Sequence, residues 1–336
     1  MKRFISALLG LCLCLCLTAC SSGKEERQAD FFAMDTTMSM TIYGSEGEAV
    51  LRQSQQEIQR LEALLSRTRE DSPVFVLNRG ECVENEELSG LLRQAMQLSE
   101  SVGGSFDVTI APVVSAWGFT TEAYRVPTEE ERSQLLEVVG SEHVNIQEDS
   151  ITLDPGTGVD FGGIAKGYAS DRIAQLWKEQ GVFSGIASLG GNIYVCGRKP
   201  DGSDWQVAVR DPDGEGYLGI LRLHDSFAVT SGSYERYFVG EDGKIYHHII
   251  DPKTGAPADS GLVSVTVVGS SGTRCDALST ALFVMGAEQA ADYWRQQGKD
   301  FDMILLDRDG RVQVTKGLEQ CFDSEEQGKY RYEIIR

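Results

Sequence analysis

The sequence predicts an α+β fold, one large domain in which helices pack on mixed or antiparallel sheets. Three observations predict it. Glu46–Ser66 carries Val50, Leu51, Ile58, Leu61 and Leu65 at helical spacing. Glu86–Val102 is a second amphipathic segment and ends on Gly103-Gly104. From Ile186 onward, short β-rich runs follow one another with only two further helical stretches, which does not fit a regular βαβ repeat.

At the N-terminus, Lys2 and Arg3 precede an apolar run from Phe4 to Leu17 that is too short to cross a bilayer comfortably. It reads as a targeting segment. Its ending, Leu17-Thr18-Ala19-Cys20, is similar to the lipobox of bacterial lipoproteins, which are cut before the cysteine and lipidated on it. Residues 1–19 are therefore expected to be a lipoprotein signal peptide, residues 20–30 a polar tether lipidated (palmitate included) at Cys20, and residues 31–336 the folded domain. More than one acyl chain at Cys20 would anchor the protein stably at the extracytoplasmic face of the cell membrane. The alternative is a plain secretory signal with a chance cysteine.

Within the domain, Phe31–Tyr43 alternates in part and predicts a strand. Thr128-Glu129-Glu130-Glu131 has capping-box form and predicts a helix running to Val139. Val144–Leu153 predicts two short strands turning at Glu148-Asp149. A helix follows Gly163, marked by Ile164, Tyr168, Ile173, Leu176 and Trp177. Strands are predicted over Ile186–Cys196, Trp205–Val209, Leu218–Leu223, Phe227–Thr230, Tyr234–Val239, Lys244–Ile250 and Leu262–Val268. Helices over Asp276–Met285 and Glu288–Gln297 come next. Strands near Phe301–Leu306, Val312–Thr315 and Tyr330–Ile335 close the chain.

A net charge of −20 argues against nucleic acid as a partner and against a basic membrane patch. It leaves room for a phosphate-bearing ligand, which needs only one local positive site. Cys82, Cys196, Cys275 and Cys321 lie outside the signal and anchor, are scattered, and form no CxxC pair, so neither zinc nor a redox dithiol is indicated.

Five segments carry candidate chemistry. Val159-Asp160-Phe161-Gly162-Gly163-Ile164-Ala165-Lys166-Gly167-Tyr168 places a carboxylate, paired glycines and a lysine at a helix start. Such a turn lets backbone N–H groups approach an anion, and a lysine in the first helical turn runs against the usual acidic preference there. It matches neither a P-loop nor GxGxxG, and a tight turn with a solvent-facing lysine remains the alternative. Ser105-Phe106-Asp107-Val108-Thr109, leading to Pro112 and Trp117-Gly118-Phe119, suits a planar ligand or a packed loop in which Asp107 makes a turn. Ser188-Leu189-Gly190-Gly191-Asn192 marks a close approach or a tight turn. His247 and His248 are two of only four histidines; adjacent in a strand, they point to opposite faces, so one can face the site, as a base or hydrogen-bond donor near Asp251, and the other solvent, the alternative being that both are structural. Asp276 and Thr280, four apart, share a helix face and offer the hard oxygen donors that Mg²⁺ prefers. The alternative makes Asp276 an N-cap or first-turn acid and Thr280 a buried, self-satisfied hydroxyl.

Taken together, the segments resemble the ApbE family of FAD:protein FMN transferases. The matching stretches are Met34-Asp35-Thr36-Thr37-Met38, Ser72 through Leu77-Asn78, the Gly104–Thr109 loop with Pro112 and Trp117-Gly118-Phe119, and the Val159–Tyr168 turn. They continue with Leu189-Gly190-Gly191-Asn192, Ser231-Gly232-Ser233-Tyr234, His248-Ile249-Ile250-Asp251-Pro252 with Thr254-Gly255, and Asp276-Ala277-Leu278-Ser279-Thr280, in family order over nearly the whole mature chain.

The resemblance implies a T-fold-like α+β domain and Mg²⁺-dependent transfer of the FMN half of FAD to a threonine or serine hydroxyl of a target protein, with AMP leaving. It implies that Met34, Ser105, Phe106, Asp107, Asp160, Lys166 and Ile250 line the FAD site. The metal is expected near the Gly163 backbone and on Asp276 and Thr280, with Ser279 close by, and His248 and Asp276 are expected to serve catalysis. The implied partners are exported flavoproteins or membrane redox subunits. No acceptor motif of the Asp-x-x-Ser/Thr-Gly-Ala-Thr sort is present, so self-modification is not expected.

Two positions depart from the family pattern. Asp35 stands where glycine is usual, and Thr68 stands near a position that commonly holds an aromatic over the flavin. The second departure keeps an alternative open, FAD hydrolysis to FMN and AMP. A flavin- or solute-binding lipoprotein without turnover is a third reading.

Overall fold

The run expected as one strand over Phe31–Tyr43 is a hairpin, β1 (Glu26–Ala33) and β2 (Thr36–Tyr43), that turns at Met34-Asp35. Both turn residues are left-handed, φ 48° and 58°, and a two-residue turn of this hand matches the twist of paired strands. Aspartate tolerates that conformation, so Asp35 supports a turn in which glycine is usual. Strand β1 reaches back to Glu26, into residues expected as tether. The computed structural model describes residues 25–214, 216–298, 300–324 and 329–336; the expected signal peptide and Cys20 lie outside them.

Seven more strands complete a nine-stranded sheet: β3 (Gly185–Leu189), β4 (Asn192–Cys196), β5 (Ser226–Gly232), β6 (Leu262–Gly269), β7 (Asp302–Asp307), β8 (Arg311–Thr315) and β9 (Arg331–Ile335). Their spatial order is their chain order. Every neighbouring pair is antiparallel except β8 and β9. The Gly190-Gly191 pair is the tight turn between β3 and β4, both residues at positive φ.

The chain between β2 and β3 carries six helices: α1 (Gly47–Leu65), α2 (Pro73–Asn78), α3 (Glu86–Ser101), α4 (Ala111–Trp117), α5 (Glu129–Leu136) and α6 (Ala165–Glu179). Thr128 caps α5 by accepting from the Glu131 N–H, as its sequence predicts, although the helix stops short of Val139. Val144–Gln147 and Ser150–Leu153 form the expected hairpin, joined by Val83–Glu84. Between β5 and β6, the strand expected over Lys244–Ile250 divides into Ile245–His247, paired with Tyr237–Val239, and Ile250–Asp251, paired with Ala256–Pro257.

Helix α7 (Gly272–Gln296) covers both expected C-terminal helices, with a kink at Gly286. It begins before Asp276. Ser271 caps it by accepting from the Arg274 N–H, so the cap alternative for Asp276 falls away.

One face of the sheet packs on α1, α6 and α7. Met38, Met40, Leu189, Val229, Val265, Val267, Met303 and Leu305 meet Ile58, Trp177, Leu282 and Phe283 there. Ala228, Val268, Ile304 and Leu306 point the other way, onto a small sheet of Trp205–Arg210, Tyr217–Leu223 and Phe322–Ser324. Burial on both faces explains why these central strands are nearly continuous apolar runs. All four described cysteines are free thiols, with Cys196 and Cys275 buried. Among the described residues, no helix is long and apolar enough to cross a membrane.

Asp171 of α6 sets where α7 begins. It accepts from Gly272 N at 2.7 Å, Thr273 N at 2.9 Å, Thr273 Oγ1 at 2.6 Å and Ser271 Oγ at 3.0 Å. Removing a carboxylate that satisfies a helix start strands those donors, so Asp171→Ala is expected to cost about 2 kcal/mol. Denaturant unfolding measures it, and a loss below about 0.5 kcal/mol would contradict this role.

Candidate active site

The glycine turn is fixed from three sides before it reaches α6. The Asn78 side chain clamps Val159, accepting from its N–H at 2.7 Å and donating to its carbonyl at 2.9 Å. Asp160 N donates to Val108 O at 2.7 Å, which ties the turn to the Ser105–Thr109 loop. Asp160 Oδ1 accepts from Gly162 N at 2.8 Å, while Oδ2 pairs with Arg67. No side chain caps α6. The Gly163 and Lys166 amides donate to no acceptor among the described residues, which leaves two N–H groups for a ligand. A Cβ on Gly163 would sit 3.1 Å from the Phe106 ring and 3.5 Å from Thr280 Oγ1, so the turn lies between those two side chains.

Helix α7 supplies the other wall. Gly167 and Gly272 let α6 and α7 touch backbone to backbone, and this contact brings Asp276 against the start of α6. Asp276 Oδ2 accepts from Gly167 N at 2.7 Å. The carboxyl is only 4% exposed. Burial pushes its pKa above the usual carboxylate range, against the opposing pull of Lys166, the Gly167 N–H and the Asn192 amide. Asn192 lies close enough to favour the charged form, yet its buried Nδ2 completes no well-formed hydrogen bond. Ser279 is fully buried; its hydroxyl donates to Asp276 O at 2.8 Å and pairs with Ser231 Oγ at 2.7 Å. Thr280 is half-buried, and its hydroxyl is 3.5 Å from Ser231 Oγ.

His248 donates from Nδ1 to Arg236 O at 3.1 Å, since a carbonyl can only accept. That leaves the Nε2 lone pair as the basic nitrogen. Desolvation, helped by the charges of Arg236 and Lys166 against the bond to Arg236 O, lowers its pKa to about 4. The ring is therefore neutral at physiological pH. His247 does not face solvent: it is buried, bonded through Nε2 to Ala258 O at 3.1 Å, and set edge-on to Phe283. Beside His248 lies an aromatic wall of Phe119, Tyr124, Phe238, Tyr246 and Trp117.

Phe106, Gly163, Lys166, Asp276, Ser279 and Thr280 thus come together, and Lys166 acts electrostatically on both Asp276 and His248. Ser105 is buried in the loop that Val108 ties to the turn, and Asp160 stands within the turn. Three further expected ligand residues make contacts within the protein. Asp107 accepts from Thr109 N, Thr109 Oγ1 and Ser99 Oγ, which is the turn-forming alternative for that residue. Ile250 is buried with Val113 and Trp117. Met34 sits at the β1–β2 turn, its N–H bonded to Glu62 Oε1 at 2.6 Å. Arg67 did not stand out in the sequence, because it falls in no periodic or glycine-marked pattern; Asn192 ends the Gly190-Gly191 turn, but nothing in that turn points to Asp276. Among the described residues, no three His, Cys, Asp or Glu side chains cluster to hold a metal.

Comparison with known proteins finds relatives over most of the chain. The FAD:protein FMN transferase of Vibrio cholerae is 34% identical over 302 residues, covering 86% of this chain and 89% of that protein. The crystal structure of the ApbE protein from Thermotoga maritima superposes with a TM-score of 0.82 at 31% identity, covering 87% of this chain and 98% of that one. The apo flavinyl transferase ApbE of Pseudomonas stutzeri gives 0.79 at 30% identity, covering 89% and 97%. The sequence model of the ApbE family matches residues 34–305, and with the fold in agreement the chain belongs to the ApbE family.

Proposed function

We propose that this protein transfers the FMN half of FAD to a threonine or serine hydroxyl of another protein and releases AMP. The observation that carries the reading is the meeting of the Gly163 turn, with its two free amides, and the Asp276–Thr280 face of α7.

The residues present fit Mg²⁺. Asp276 is a buried carboxylate with only Oδ2 in a well-formed hydrogen bond, and the groups around it are hydroxyl and peptide oxygens, the donors a hard cation takes. Asp276 and Thr280 would hold the ion, with Ser279 and the Gly163 backbone beside it. Once bound, it would supply positive charge to the FAD phosphates.

The chain's own groups do the rest. The Gly163 and Lys166 amides and the Lys166 ammonium face the phosphate anion. The acceptor hydroxyl attacks the FMN-side phosphorus, the P–O bond to AMP breaks, and AMP leaves with that oxygen. His248 Nε2 receives the proton of the attacking hydroxyl. Positioning supplies most of the acceleration.

The reading extends to location. Lipidation at Cys20 would hold the domain at the extracytoplasmic membrane face, six residues (26 − 20) from the start of β1. Exported or membrane redox proteins are then the accessible acceptors.

The test is purified protein with FAD, Mg²⁺ and an acceptor domain, read by intact mass. An acceptor heavier by one FMN-phosphoryl unit supports transfer. Free FMN and AMP alone support hydrolysis, a second reading favoured by Thr68, which is exposed and offers only a small hydroxyl where a flavin-covering ring is usual. FAD binding without either product supports the binding-protein reading. His248→Asn is expected to lower transfer about a hundredfold or more while FAD affinity stays within a few-fold. With His248 already neutral, wild-type transfer should show no step near pH 6.5 between pH 6 and 8, where an unperturbed histidine would titrate.

A further inference from the structure

Arg67 follows the end of α1, and its side chain is 15% exposed. Its guanidinium holds three acceptors on two segments: the Asp160 carboxylate of the glycine turn and, on α4, Ala111 O at 3.2 Å and Ser115 Oγ one turn further along. A planar fork of donors makes such a three-way junction; a lysine ammonium does not reproduce it. Asp160 passes the constraint on, because its second oxygen holds Gly162 N at 2.8 Å. The sequence of contacts therefore runs from Arg67 through Asp160 to Gly162 and the free Gly163 amide.

This matters because two successive glycines are the most conformationally free dipeptide a chain can carry. Left alone, Gly162-Gly163 would sample many conformations, and the ordering would be charged against ligand binding. Held by Asp160, the Gly163 amide stays where the Phe106–Thr280 gap leaves it.

We propose that Arg67 is a positioning residue for the flavin dinucleotide: it holds Asp160 so that the Gly162-Gly163 turn is pre-formed for the FAD phosphates. The proposal rests on the FAD reading given above. Arg67 touches neither reacting atoms nor the acceptor in this account, so its loss should appear in FAD affinity and not in the chemical step.

The experiment compares wild type with Arg67→Met, Arg67→Lys, Asp160→Asn and the Arg67→Met/Asp160→Asn double variant. FAD Kd is read by quenching of flavin fluorescence, and KM and kcat by AMP release, with circular dichroism confirming the fold. Expected are a rise in Kd and KM of about thirtyfold for Arg67→Met and about tenfold for Arg67→Lys, with kcat within threefold of wild type. The double variant should be no weaker than the weaker single one, since both act on one linkage. A Kd within twofold of wild type in folded Arg67→Met, or single-variant losses that multiply in the double, overturns the proposal. Should Arg67→Met fail to fold, Arg67→Lys decides by the same twofold criterion. A wild-type protein that binds FAD yet releases no AMP sinks the transferase reading, while the Kd measurements still judge Arg67.

Discussion

Asp276→Asn is expected to lower FMN transfer by about a hundredfold or more and, at the same time, to raise the melting temperature of the ligand-free protein by about 2–4 °C. The two effects have one cause. Burial raises the Asp276 carboxyl above its ordinary value, so the folded protein holds a proton there more readily than the unfolded chain does. Stability is then greatest below the unfolded carboxylate range and declines as pH rises through the raised folded value. Above that value the charged form carries the cost of its burial, offset in part by Lys166 and the Gly167 N–H. Asparagine keeps the size and can still accept from Gly167 N through Oδ1, but it carries no charge to desolvate.

Ligands reverse the order. FAD with Mg²⁺ should stabilise the wild type by mass action and leave Asp276→Asn nearly unmoved. Scanning calorimetry with and without FAD and Mg²⁺ therefore yields two curves that exchange places. A variant that melts below wild type in the absence of both would mean that Asp276 is a structural anchor and not a charge held ready for a cation.

What the sequence revealed, and what it hid, divides along the distance between partners. Helices α1 and α3 were legible because their apolar residues repeat every turn within one segment. The glycine turn was legible because paired glycines beside a carboxylate and a lysine are rare without a reason. The β1–β2 hairpin was not, because its left-handed pair is Met34-Asp35 and neither residue announces such a turn. The true start of α7 was hidden for a related reason: Gly272 reads as a loop residue until Gly167 is known to lie against it. Arg67 was hidden most deeply. Its bond to Asp160 spans 93 residues, and nothing in the polar stretch from Ser66 to Asp71 sets it apart from Arg69. Asn192 was visible as part of a glycine-rich turn, but only the approach of α7 makes its amide part of the Asp276 environment.

At the α6–α7 crossing one substitution is expected to lower stability and activity together. Gly167→Ala replaces a poor helix former with the best one, which by itself would favour α6 by about 1 kcal/mol. The added methyl, however, overlaps the Gly272 carbonyl and lies 2.6 Å from Asp276 Cβ. A backbone carbonyl in the first turn of α7 cannot rotate aside as a long side chain can, so the helices must separate. Overlap of this kind in a packed interior costs about 1–3 kcal/mol beyond the propensity gain, and separation also breaks the 2.7 Å bond from Gly167 N to Asp276. Gly167→Ala is therefore expected to lose about 2 kcal/mol of stability and most of its transfer activity together. Gly90→Ala supplies the contrast. Gly90 lies inside α3, a Cβ there meets nothing within 4 Å, and its backbone is not left-handed. That substitution should stabilise by about 0.5–1 kcal/mol and leave activity unchanged, because only the helix propensity acts. If urea unfolding moved both variants in the same direction, the close contact between α6 and α7 would not be what positions Asp276.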